Sequence, residues 1–193
     1  PQNIVQEESV EVSEENVKGR SAKSAKASDE LTQPVLTSVK AVNASSIKVS
    51  WTTDGKCRGV YAIYRKKKGN DFGIVGYVKA TSAKKYSYTD KTVVPKQKYT
   101  YSVRAVPNAK LQDVTSGSSS TQTGGHVEET VYWDKPVMGT VYRYLIFDDN
   151  NFVASIASSE SAVTISYSSS VQPDFVVYAL FRGGWGAYDK VGL

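Results

Sequence analysis

Trp51-Thr-Thr-Asp54, Tyr61-Ala-Ile-Tyr-Arg65, Tyr88-Thr-Asp90-Lys-Thr-Val-Val-Pro95 and Tyr99-Thr-Tyr-Ser-Val-Arg-Ala-Val106 are four pieces of one stretch, in chain order. Their apolar residues alternate with polar ones and are separated by turn chemistry, which is the signal of short, half-buried strands. Ile47, Val49 and Trp51 share one parity, with Lys48 and Ser50 on the other. Lys68-Gly-Asn-Asp71 supplies a hairpin turn, Ile74 to Val78 a return strand, and Pro107-Asn-Ala109 a turn into a final Ser/Thr-rich strand. Seven short strands in about 90 residues, with an early Trp and a Tyr after a Pro-containing crossover, describe a Greek-key sandwich.

The pattern starts again at Trp133. Val131-Tyr-Trp133 matches Val49-Ser-Trp51, and Val141-Tyr-Arg-Tyr-Leu145 matches Val60-Tyr-Ala-Ile-Tyr64. Asp148-Asp-Asn-Asn151 takes the hairpin position, followed by strands at Phe152–Ile156, Val163–Tyr167, Phe175–Ala179 and from Ala187 to Val191. Either Phe175 or Val177 stands where Tyr99 stands in the first copy. The second copy lacks an evident first strand, which is either missing or borrowed from residues 116–123.

Charge divides the chain. Residues 1–33 contain no aromatic residue and set four cations against seven acids, a net of −3. Such a stretch buries too little apolar surface to offset its ordering entropy and reads as a flexible arm. Its Val10-Glu-Val12 is an alternative candidate for a strand added to a sheet edge. Residues 34–123 carry sixteen Lys or Arg against four Asp, a net of +12, and residues 124–193 carry four against eight acids, a net of −4. The switch falls at Thr123-Gly-Gly125. The expected domains are therefore an arm over 1–33, a sandwich over 34–123 and a shorter one over 124–193.

The first sandwich resembles a fibronectin type III domain. The resemblance is carried by Pro34-x-Leu36, Ile47-x-Val49-x-Trp51, Tyr61-x-Ile63-Tyr64-Arg65, Tyr88-x-Asp90, Pro95 and Tyr99-x-Tyr101-x-Val103-x-Ala105. Tyr99 matches the tyrosine-corner position, whose hydroxyl meets backbone upstream. Lys96-Gln97 replaces the Gly-Thr common in the family. The Tyr-Arg-Lys-Lys-Lys-Gly hairpin is most similar to those of bacterial surface and secreted proteins. The resemblance implies an all-β fold of tandem immunoglobulin-like sandwiches. It also implies a non-catalytic extracellular spacer or adhesion module of a bacterial surface or secreted protein. The alternative is a carbohydrate-binding accessory region of a secreted glycoside hydrolase.

Chemistry is sparse. His126 is the only histidine and sits in a Gly-Gly-His linker, away from any nucleophile pattern. Cys57 is the only cysteine, which excludes an internal disulfide and a multi-thiolate metal site. Asp148-Asp-Asn-Asn151 lacks the alternating acidic spacing of a calcium loop and reads as a tight turn. No catalytic, cofactor or metal residues are assigned. Two candidate binding sets remain. Arg65, Lys66, Lys67 and Lys68 form a cationic hairpin that would attract an anionic wall polymer or glycan. Arg182, Trp185 and Tyr188 lie in a loop where Trp and Tyr stack on sugars or anchor protein interfaces. The expected partner is an extracellular protein, glycan or anionic wall polymer. Nucleic acid is disfavoured, because no recognised module accompanies the charge. No run is long enough to span a membrane, no leader peptide opens the chain, and a monomer is expected.

Overall fold

The computed structural model describes residues 31–186, together with the backbone of 188–192. The arm expected over 1–33 falls outside the described residues except for its last three. The fold is all-β, as the alternating sequence requires. Among the described residues fourteen strands follow one another: β1 (Val35–Asn43), β2 (Ser46–Thr52), β3 (Val60–Lys67), β4 (Gly73–Lys79), β5 (Lys85–Asp90), β6 (Tyr99–Val106), β7 (Leu111–Asp113), β8 (Ser116–Thr123), β9 (His126–Trp133), β10 (Val141–Asp148), β11 (Asn151–Ala157), β12 (Ala162–Ser168), β13 (Phe175–Phe181) and β14 (Tyr188–Gly192). They form four sheets, β1-β2-β5, β14-β6-β3-β4, β11-β10-β13-β7 and β12-β9-β8.

Three apolar layers bind these sheets into one stack. Val49, Trp51, Tyr61, Ile63, Tyr101 and Val103 fill the first layer. Val131, Trp133, Tyr144, Ile146, Val177 and Ala179 fill the third. Between them lies a layer built by both sandwiches: Val60, Ala62, Tyr64, Tyr77 and Val106 from one, Leu145, Phe147 and Leu180 from the other. Successive side chains of a strand point to opposite faces, so a strand buried on both faces reads as a continuous apolar run. Val60-Tyr-Ala-Ile-Tyr64 on β3 and Tyr144-Leu-Ile-Phe147 on β10 are such runs, and every residue in them is buried.

The aromatic residues repeat as expected, with one shift. Trp51 stands edge-on to Tyr61 at 5.6 Å between ring centroids. The corresponding contact in the second sandwich joins Trp133 to Tyr144, at 5.1 Å, rather than to Tyr142. A register break between Val141 and Arg143 turns Tyr142 out of the third layer and against the shared one. Tyr99 forms the corner: the Val94 N–H donates to its hydroxyl at 3.0 Å. Lys96 takes a left-handed φ of 63°, the conformation for which a glycine is better suited. Asp149, with φ of 52°, closes the β10–β11 hairpin as the Asp/Asn-rich turn predicts.

The strand ladders correct two sequence expectations, the final strand of each sandwich. The Ser/Thr-rich strand β8 does not finish the first sandwich; it pairs with β9 along its whole length, from Ser116↔Trp133 to Thr123↔His126. The first strand missing from the second copy is thus the one borrowed from residues 116–123. β7 likewise pairs with β13. The place beside β6 is taken instead by β14, which returns from beyond the second sandwich to pair Tyr188↔Arg104 through Gly192↔Thr100. The chain leaves β6 through a short 3-10 turn, Asn108–Lys110, and comes back through the loop after Phe181. Gly186 N–H already donates to Ala105 O at 2.8 Å as it arrives.

Candidate functional site

The cationic hairpin splits into an inward and an outward part. Arg65 shares the parity of Tyr61 and Ile63, so it points toward the first core rather than into solvent. Its guanidinium meets the buried Asp90 carboxylate at 2.7 Å, donates to Thr92 Oγ1 at 2.9 Å and lies over the Tyr99 ring at 5.0 Å. Lys66 lies over Phe72 at 5.0 Å, whereas Lys67 and Lys68 are exposed at the hairpin tip.

Asp90 is the hub of this cluster. Besides Arg65 it accepts from the Tyr101 hydroxyl at 2.9 Å and from the Thr92 N–H and hydroxyl at 2.9 and 2.7 Å. Burial pushes its carboxyl up, but the bonds from Thr92 and Tyr101 and the charge of Arg65 outweigh that and hold it below the usual value. A carboxyl depressed on folding adds stability that is complete above the unfolded Asp value and is lost as pH falls through the folded one. Melting temperature should therefore show this contribution intact down to about pH 4 and eroding below it. In Asp90→Asn that acid-dependent component should be missing; an unchanged acid profile would contradict the assignment.

The second candidate set lies where the two sandwiches join. Gly183 and Gly184, with φ of 77° and 64°, bend the loop after β13. The bend lays Trp185 half-buried against the shared apolar layer, with its indole N–H donating to Phe181 O at 3.0 Å. Tyr142 meets the Trp185 ring edge-on at 5.9 Å, and the Arg182 guanidinium lies 4.3 Å from the Tyr142 ring. From β6, Arg104 stands 5.6 Å from the Trp185 ring and donates to the carbonyls of Trp185 and Gly186. Together with Tyr64 and Gly183 these residues line a cleft of about 200 Å³. Among the described residues no carboxylate lines it.

This cleft brings Arg182 and Trp185 together. Tyr188 is on β14, whose side chains lie outside the described residues, and the Arg65–Lys68 hairpin does not contribute to the lining. Sequence reading missed Tyr64, Arg104 and Tyr142. Tyr64 and Arg104 occupy the parity of their strands opposite to the first core, which was the available signal. Cys57 is buried, and burial pushes its thiol up, away from the thiolate a nucleophile needs. His126 is exposed at the start of β9. Asp148 serves its turn region by accepting the Asp174 N–H at 3.0 Å. Among the described residues no three His, Cys, Asp or Glu are grouped for a metal ion, and no helix is long and apolar enough to cross a membrane.

No family model and no curated protein matches the chain. Among solved structures it is similar to the FN1–FN3 domains of chicken CNTN1, at 13% identity and a TM-score of 0.31, over 85% of this chain and 67% of that one.

Proposed function

We propose that the chain is a non-catalytic spacer and adhesion unit of a bacterial surface or secreted protein. In this reading the second sandwich is inserted between β6 and β14 of the first, replacing the consecutive division into 34–123 and 124–193. The observation that carries it is the shared layer of Val60, Ala62, Tyr64, Leu145, Phe147 and Leu180, crossed by the chain once in each direction. Tandem modules on one linker move independently unless their interface is large and apolar. A buried apolar layer with two covalent crossings makes a stiff unit, which suits holding a ligand-binding surface at a fixed distance and angle.

Two surfaces are proposed for contact. Lys66, Lys67 and Lys68 would draw an anionic wall polymer by a salt-dependent field. The junction cleft would take a sugar against Tyr142 and Trp185, with Arg182 binding a carboxylate or ring hydroxyl. That second surface is what favours the glycan-binding accessory reading. A glycan array and a wall-polymer binding assay, run with Arg182→Gln and with Lys66, Lys67 and Lys68 changed together to Gln, separate them. Loss in the triple variant with a steep salt dependence supports the wall polymer. Loss of a defined sugar in Arg182→Gln supports the cleft. Absence of binding to every glycan and polymer overturns the adhesive role.

A further inference from the structure

The outer strand of a sheet presents unpaired N–H and C=O groups, and proteins usually blunt it with charge, bulges or cover. Most edges of this molecule are blunted. β1 is bulged twice and carries Lys40. β5 begins at Lys85, and β4 ends at Lys79 and runs beside β11, with Tyr77 meeting Phe152 at 5.4 Å. β11 is irregular opposite Ile146 and Phe147, and Arg143 covers its Ser155 carbonyl at 2.6 Å. β7 has three residues.

β12 is different. Its seven residues, Ala162-Val-Thr-Ile-Ser-Tyr-Ser168, include no charge, no Pro and no Gly. It pairs with β9 without a register break and, among the described residues, has no strand on its other side. Val163, Ile165 and Tyr167 are half-buried on the core side, while Ala162, Thr164, Ser166 and Ser168 are exposed. An unbulged, neutral, β-branched and aromatic segment on such an edge has the composition of strands that pair with their own copies. β8, the other edge of this sheet, is also neutral, but it is made of Ser, Thr, Gln and Gly and adds no apolar residue to the core.

We propose that β12 is a homodimer interface, at which two copies pair β12 with β12 and join their β12-β9-β8 sheets into one. The occupant is a second copy because the symmetry suits this strand. A two-fold axis normal to the sheet reverses β12, so self-pairing is antiparallel, the more stable ladder. Centred on Ile165, it sets Ile165 against Ile165 and Val163 against Tyr167, all on the core side, and so extends the third apolar layer across the axis. It sets Thr164 against Ser166 on the outer side. No charged side chain on β12 opposes another, and Glu129 of β9 is already hydrogen-bonded by Tyr167. The dimer departs from the monomer expected from the sequence, and it rests on the edge itself rather than on the proposed adhesive role.

Sedimentation equilibrium of the full chain should show a concentration-dependent dimer. The double variant Thr164→Lys with Ser166→Lys places a Lys of one copy directly opposite a Lys of the other and should weaken the dimer at least tenfold. Ser119→Lys on β8 should leave it unchanged. Thr164 shares a hydrogen bond with Thr130, at 2.9 Å, so the double variant is checked for a native melting curve. Independently of that variant, Ile165→Cys should form an intermolecular disulfide under mild oxidation. A chain that stays monomeric to several hundred micromolar, a dimer indifferent to the β12 lysines, a dimer broken by Ser119→Lys, or an Ile165→Cys chain that fails to cross-link each overturns the proposal.

Discussion

Phe147→Ala should destabilise both sandwiches together, by about 3–5 kcal/mol, the range for removing a buried aromatic ring. Phe147 is fully buried in the shared layer and meets Phe152 and Tyr178 edge-on at 5.8 and 5.9 Å. Lys79 of the first sandwich lies over the same group, 5.7 Å from Phe147 and 3.6 Å from Tyr178. Truncation thus leaves a cavity walled by residues of both sandwiches, and neither can close it alone. For a chain of this size the loss corresponds to a fall in melting temperature on the order of 10 °C. Scanning calorimetry should show one transition before and after the change, shifted as a whole. A first sandwich that melts at its original temperature while the second melts early would show that the layer does not couple them.

The sequence carried the first sandwich well because its core positions are local alternations closed by turn residues. Trp51, Tyr61, Ile63, Tyr101 and Val103 are buried where the parity puts them, and Tyr99 makes the corner bond. The shared layer was written there too, but in the other parity. Val60, Ala62 and Tyr64 alternate with Tyr61 and Ile63, and the unbroken apolar run they make together is itself the sign of a strand covered on both sides. Arg65 is a similar case. Counted along β3 it falls on the inward face, and an inward Arg needs a carboxylate, which Asp90 provides. Taken as one of four consecutive cations, it looked like surface.

Pairing between distant strands left no such mark. Nothing local in Tyr188–Gly192 says that its ladder partner is β6, because an edge strand is chosen by where the chain comes out, not by its composition. The same holds for the junction cleft. Trp185 and Arg182 stand out as loop residues, whereas Tyr142 and Arg104 join them only because β10 and β6 are brought to the same side of the stack.

The insertion of one sandwich into the other is tested most directly by removing β14. Its ladder spans five residue pairs, from Tyr188↔Arg104 to Gly192↔Thr100. At roughly 1 kcal/mol net for each backbone hydrogen bond, deletion of residues 187–193 should cost on the order of 4 kcal/mol. Hydrogen exchange locates the loss. β6 runs through the first core with Tyr101, Val103 and Ala105 buried, and its outer backbone groups would be bared to water. The truncated chain should lose amide protection on β6, and with it on the neighbouring β3. β13 should be affected less, because its partners β10 and β7 remain. Unchanged protection on β6, with the loss confined to β13 and its neighbours, would contradict the nested arrangement and return the chain to two consecutive sandwiches.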